Sequence, residues 1–396
     1  MADPWLTIVG LGEDAPDGLP CASLSALEGA EVIMGPARHL ALLPTVAAER
    51  ITWPVPFADG LPVLLGLRGR RVVVLASGDP FWFGAGSVIA QALEPGEWRA
   101  FPAPSTFALV AARLGWGLER VTCLGLHAAP LARMRGHLAS GQRLIVLLRD
   151  GAAVGELARY LCDLGFGESG LTVCEALGGP RERVRQVVAQ GYDLADVQHP
   201  VAVAVEVAGA GAVLTQASGR ADDLFAHDGQ ITKRPVRALA LSALAPRAGE
   251  LLWDIGSGSG SVAVEWCLSH PSLRAVSVEA RADRAVNIRA NAAGFGLDRL
   301  QVVEGHAPEA LAGLPRPDAV FIGGGLSAAL LDALAPISGV RIVAHAVTLE
   351  SEALLTQARA RWGGQLMRVE IAHAEPLGSR QGWAPVRPIV QWAGVL

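Results

Sequence analysis

The sequence predicts an α/β protein built on parallel sheets and divided into two domains of different architecture. Short apolar runs of strand length alternate with helical apolar patterns along most of the chain. Several of those runs end in glycine, as strands do where a tight turn opens into a helix. The alternation stops once, between Val207 and Asp228. The clearest unit is Leu251–Cys267, LLWDIGSGSGSVAVEWC: an apolar run ending in Asp254, a turn carrying Gly256, Gly258 and Gly260, then a helical apolar pattern. Such a turn aims main-chain N–H groups across the strand ends.

Taken in order, residues 5–9 read as a strand entering the turn GLGEDAPDG, followed by a helix over 22–28 and a strand over 30–34. A strand over 72–76 runs into SGDPFWFG, and helices follow over 87–93 and, after the Pro102/Pro104 loop, over 105–114. Residues 144–148, 171–175 and 201–207 are strand-like, with a helix over 154–164. The stretch AGAGAVLTQASGRADDLFAHD has no sustained apolar face, so 1–210 is read as one domain, 211–228 as a linker and 229–396 as a second domain. There, helices are expected at 231–244, 284–293, 328–334 and 351–360, with strands at 251–253, 273–278, 300–303, 319–322 and 341–344. Two late strands, 367–371 and 389–391, flank a loop, SRQGWAP.

The chain has 396 residues, 51% of them hydrophobic and 18% charged, with a formal charge of −5. That balance carries no footprint of a general nucleic-acid binder. No apolar run approaches a membrane span, and MADPWLTIVG shows no leader pattern. Five cysteines without C-x-x-C spacing point to a reducing compartment, and the location expected is cytoplasmic. No metal is expected, because H-E-x-x-H is absent and the cysteines are scattered. There is no phosphate loop, and Gly10-x-Gly12 lacks the third glycine of a dinucleotide fingerprint.

In the first domain VGLG, ASGDPFWFG, PAPST and CEALGGPRERV come in an order that resembles the tetrapyrrole methylase family over about residues 4–205. The resemblance implies a class III methyltransferase fold of two α/β subdomains, S-adenosyl-L-methionine as methyl donor and a porphyrinoid substrate. It matches Gly78, Asp79 and Pro80 to the donor turn, Ser105 and Thr106 to a segment beside it, and Gly10 and Gly12 to the border of the substrate trough. Glu175 with Gly178 and Gly179 match a late segment on the same side.

In the second domain Glu279 ends the strand after the glycine turn, where a carboxylate accepts hydrogen bonds from a ribose diol. Asp254 beside the turn suits the cationic amino-acid end of S-adenosylmethionine better than a pyrophosphate. The ordered set ITKRPVR, DIGSGSGSVAVEW, VEA, EGHAPEAL and DAVFIGGG resembles the class I, Rossmann-like methyltransferase domain of cobalamin biosynthesis, of the decarboxylating precorrin-6 methylase type. By that resemblance Gly256, Gly258 and Gly260 line the methionine end of a second donor site, and Gly305, His306 and Ala307 border the adenine. Gly323, Gly324 and Gly325 line the opening to the substrate.

The two resemblances together imply methylation of precorrin-6B at C5 and C15 with loss of the C12 acetate carboxyl as CO2. They also imply a self-associating chain, dimer or tetramer. An anionic tetrapyrrole partner calls for cations, and Lys233, Arg234, Arg237 and Arg380 are the candidates. Glu304, His345 and Arg380 are the candidates for handling the acetate and a proton. Other readings stay open at this level: a nicotinamide-dependent oxidoreductase, a methyltransferase for another tetrapyrrole or RNA, and a non-catalytic corrinoid binder.

Overall fold

The computed structural model describes residues 4–396; the first three residues of the start inspected for a leader lie outside that range. The described residues separate into two compact units, 4–131 with 137–212, and 213–396 with the short segment 132–136.

The first unit holds two sheets. In one, β1 (Leu6–Leu11), β2 (Val32–Gly35), β3 (Glu49–Thr52), β4 (Val72–Ser77) and β5 (Trp98–Phe101) are all parallel, in the order β3-β2-β4-β1-β5. β1, β2 and β4 are almost wholly apolar because both their faces are covered. The other sheet contains β6 (Thr122–Gly125), β7 (Arg143–Leu148), β8 (Gly170–Glu175), β9 (Arg183–Val188) and β10 (Val201–Glu206). Its order is β6-β7-β10-β8-β9, parallel only between β6 and β7.

The second unit holds a seven-stranded sheet, β13-β12-β11-β14-β15-β19-β16. Its strands are β11 (Leu251–Ile255), β12 (Arg274–Glu279), β13 (Leu300–Glu304), β14 (Ala319–Ile322), β15 (Arg341–Ala346), β16 (Gln365–Val369) and β19 (Ile389–Val395). The first five are parallel, and β19 runs antiparallel to both its neighbours. Apolar clusters cover both faces. The chain order reverses between β11 and β14, so a crevice opens at their carboxyl ends.

Two expectations change. SRQGWAP is not a loop: β17 (Ala372–Leu377) and β18 (Arg380–Pro385) pair antiparallel as a separate exposed hairpin. The segment expected to be a linker is, from Val213 on, built into the second unit. Leu214 and Phe225 are in its core, and the N–H groups of Gly219 and Arg220 donate to the buried Glu265 carboxylate at 2.7 and 2.8 Å.

Glu265 and Arg237 are both 0% exposed and pair at 2.7 Å, with Arg237 also reaching Asp222 at 3.0 Å and lying 4.7 Å over the Phe225 ring. Arg237 is therefore a buried anchor for the incoming chain and not a substrate contact, which corrects its assignment. Replacing Arg237 with Met leaves the Glu265 charge buried without its closest cation. We expect the second unit to lose about 3–5 kcal/mol. Urea unfolding followed by the buried Trp266 reads this out, and an unshifted midpoint would show that the backbone donors suffice.

Candidate active sites

At the carboxyl edge of the first sheet three loops meet through main chain. Gly10, in β1, is so close to the next loop that a Cβ there would lie 1.9 Å from the Gly78 carbonyl oxygen. Gly78 has φ +52, and a Cβ on it would come within 2.9 Å of the Pro104 oxygen. Two hydrogen bonds hold the contact: Gly78 N–H to the Leu11 carbonyl at 2.9 Å, and Ala103 N–H to the Gly78 carbonyl at 3.1 Å. VGLG, SGDP and PAPST, far apart in sequence, are thus one surface.

Side chains there are largely engaged. Asp79 Oδ1 accepts the Phe81 N–H at 2.8 Å and so closes its own turn, next to Pro80. Ser105 Oγ caps the helix Thr106–Leu114 by accepting the Ala108 N–H at 3.1 Å, with Thr106 as the first helical residue. Gly12 packs on Asp14. The late segment arrives as expected: a Cβ on Gly179 would lie 2.6 Å from Glu13. Glu175 is buried under Arg183, Arg185 and the Gln198 N–H, a structural carboxylate whose pKa these partners lower against the cost of burial.

In the second unit Gly256, Gly258 and Gly260 have φ values of +62, +61 and +74, the left-handed region open to glycine. A Cβ on Gly256 would lie 2.4 Å from the Gly324 oxygen, so the turns after β11 and β14 also touch through main chain. Gly258 is roomier: a Cβ there would meet only the Gln230 carbonyl oxygen, at 3.7 Å. Glu279 Oε2 accepts the Gly258 N–H at 2.8 Å, and Oε1 accepts the Arg281 N–H at 3.0 Å. The carboxylate is thereby fixed at the rim of the turn with lone pairs to spare.

Asp254 lies beneath it, fully buried. Its Oδ2 accepts the Ser257 hydroxyl at 2.8 Å and the Ala263 N–H at 3.1 Å, while Oδ1 has no partner among the described residues. Burial pushes its pKa up to about 7; those two hydrogen bonds oppose the shift and the Glu279 charge adds to it. Gly305 N–H donates to the Glu279 carbonyl at 3.0 Å, which brings Gly305, the exposed His306 and Ala307 beside the same strand end. Gly323 and Gly325 are exposed at the opening, with Gly324 partly covered. Lys233 and Arg234 are exposed at the start of the helix Arg234–Leu244, three and four residues beyond Gln230.

The catalytic trio does not assemble. Glu304 ends β13 and pairs with Arg289 at 2.6 Å. His345, on β15, binds Gln391 Oε1 through Nε2 at 2.9 Å and meets the Phe321 ring edge-on at 5.0 Å. Three strands separate β13 from β15, which sets the two side chains roughly 19 Å apart across the sheet. Arg380 starts the separate hairpin strand β18. Burial lowers the His345 pKa, so its imidazole is neutral at neutral pH, next to the loop after β14. Among the described residues no group of acids, histidines and cysteines could hold a metal.

Two family models match the chain, that of the tetrapyrrole (corrin/porphyrin) methylases over residues 5–191 and that of a precorrin methyltransferase domain over 223–395. A Sinorhizobium protein named precorrin-6Y C(5,15)-methyltransferase (decarboxylating) is 48% identical over 99% of this chain and 97% of its own length. A Pyrobaculum calidifontis protein named probable cobalt-precorrin-6B C(15)-methyltransferase (decarboxylating) is 41% identical over 34% of this chain and 72% of its own. A Salmonella typhimurium protein named cobalt-precorrin-7 C(5)-methyltransferase is 27% identical over 45% of this chain and 88% of its own.

The buried Asp254 makes stability depend on pH with a definite sign. Its pKa is higher in the fold than in the unfolded chain, so its contribution is complete below the unfolded value of about 4 and is lost as pH rises through about 7. Asp254→Asn should lose less unfolding free energy than the wild type between about pH 5 and about pH 8. Equal losses in denaturant titrations would show that Asp254 is not what couples the fold to pH.

Proposed function

Since the chain belongs to the family of precorrin-6Y C5,15-methyltransferases (decarboxylating), we propose that it methylates precorrin-6B at C5 and C15. The same reading has it remove the C12 acetate carboxyl as CO2, giving precorrin-8. The observation that carries the reading is the pair of loop clusters at parallel strand ends, each within a match to a methyltransferase family model. One donor site is assigned to each unit, with C5 methylation in the first and C15 methylation with decarboxylation in the second. Relatives of partial length whose names carry C(5) or C(15) separately support that division.

S-adenosyl-L-methionine, when bound, supplies a methyl group on a cationic sulfonium. The second unit fits it: an unpartnered buried Asp254 Oδ1 matches a cationic amino-acid end, Gly258 leaves room over the turn, and Glu279 offers free lone pairs to a ribose diol. In the first unit Gly78, Asp79 and Pro80 with Ser105 and Thr106 form the corresponding surface, where main-chain groups do the holding because the Asp79 and Ser105 side chains are committed.

The residues mainly align and dehydrate the two reactants, since a conjugated reduced ring carbon is already nucleophilic. That ring is also the electron sink for CO2 loss, after which a proton replaces the carboxyl. Within this reading the neutral His345, on the strand beside the Gly323–Gly325 loop, is the candidate to relay that proton to the ring. Lys233 and Arg234 meet the ring's carboxylates. The partner in this reading is an anionic tetrapyrrole, with neither nucleic acid nor membrane involved. Self-association and a cytoplasmic location belong to the same proposal.

Anaerobic turnover of precorrin-6B with methyl-labelled donor should show two methyl additions and one CO2. Donor binding without change in the ring would refute the substrate. Glu279→Ala should weaken donor binding at the second site by about 10- to 100-fold and suppress C15 methylation and CO2 release while C5 methylation continues. Unchanged donor affinity would remove the ribose role.

A further inference from the structure

The first unit contains a charge cluster whose three members, Glu13, Arg38 and Arg181, have no role assigned from the sequence. Glu13, in the loop after β1, is 7% exposed and carries two guanidiniums, one on each carboxylate oxygen. Arg38, from the helix Ala37–Leu42 after β2, bonds Oε1. Arg181, from the loop between β8 and β9, bonds Oε2 at 3.0 Å. The two arginines come from the two different sheets of the unit.

Arg38 is held on its other side by neutral acceptors. Its Nη2 lies 2.7 Å from His39 Nε2 and 3.0 Å from Ser77 Oγ. His39 is buried, and burial followed by the Arg38 charge pushes its pKa down to about 3, so its ring nitrogen is free to accept. Ser77 immediately precedes Gly78 and Asp79. The fork of Arg38 is therefore fixed beside the turn already assigned to the donor.

One carboxylate does not balance this group. Two guanidiniums face Glu13, and His199 feels both: burial, then the Arg38 charge, lower its pKa, with Arg181 adding to the effect and Asp150 opposing it. Arg38 is itself destabilised as a cation, by burial and then by Arg181. Its side chain is 27% exposed and that of Arg181 52%, so both keep donors available at the surface while Glu13 aims them. A partly dehydrated excess of positive charge presented as two oriented forks is a receptor for a carboxylate.

We propose that Arg38 and Arg181, aimed by Glu13, form a carboxylate-binding subsite of the first unit. The proposal rests on the functional reading above, which supplies two ligands with that chemistry: the acetate and propionate arms of the ring, and the carboxylate of the methyl donor. Glu13 and His39 are positioning residues.

The test uses the full chain with two probes, uroporphyrin III as an octacarboxylate ring, followed by fluorescence, and S-adenosylhomocysteine, followed by calorimetry. Arg181→Gln is the first variant, because Glu13 keeps its Arg38 partner and the fold is spared. Arg38→Gln is the second, checked for folding by circular dichroism. The expected result is a rise of about tenfold or more in the Kd of one probe. Weakened uroporphyrin with intact donor-product binding assigns the subsite to a ring arm; the converse, at one class of site, assigns it to the donor. Unchanged affinities in Arg181→Gln, or a wild type that binds neither probe, overturn the proposal. A wild type that holds a probe through Arg181 yet transfers no methyl group to precorrin-6B defeats the functional reading and leaves the subsite standing.

Discussion

In both units the loops leaving neighbouring strands, or strands and the next loop, touch through main chain, and the contact exists only because one partner lacks a Cβ. Gly10 against the Gly78 carbonyl and Gly256 against the Gly324 carbonyl leave no space for even a methyl group. The consequence is mechanical. Loops joined by backbone hold their N–H groups and their flanking carboxylates in fixed positions, so a ligand meets a surface already organised. Parallel sheets bring the loops to one edge, and the glycines let them close on each other there.

Buried ions serve different ends in the two units. Glu265 is satisfied from all sides by Arg237 and by two backbone N–H groups, and it fastens the incoming chain to the second unit. Glu13 is buried to the same purpose on one side only: its oxygens are paired, but the arginines that pair them still reach solvent. A closed network stabilises a fold. An open one presents charge.

The sequence made the strongest strands readable because they are covered on both faces and therefore mostly apolar, as in β1, β2, β4 and β11. Strands at edges gave no such signal. β3 is mostly exposed, β9 alternates, and β17 with β18 is exposed along nearly its whole length. Glycine-ended turns located both candidate sites for the same reason that they build them. Arg237 was misread because its type suggested a surface cation, although it stands four and seven residues before the buried Leu241 and Leu244, on one helical stripe. Glu304 and His345 both end strands, and spacing along the chain cannot reveal that three other strands come between them. Arg181 lies in CEALGGPRERV but Arg38 belongs to no motif, and only the folding of one sheet's loop against the other's makes the two a pair.

On the proposed function a sulfonium donor and a polycarboxylate acceptor require opposite charges within one small site, and in the second unit the acidic and basic candidates differ in depth. Asp254 and Glu279 lie at and under the glycine turn, where a cation is wanted. Lys233 and Arg234 follow a segment whose Gln230 carbonyl already reaches Gly258, and they are exposed. Burial raises the Asp254 pKa to about 7, so a cation held beside it would favour the ionised carboxylate and gain an attraction to it. Partial protonation near neutral pH spares Asp254 part of the cost of a buried charge, while Lys233 and Arg234, which are costly to dehydrate, lie where water reaches them.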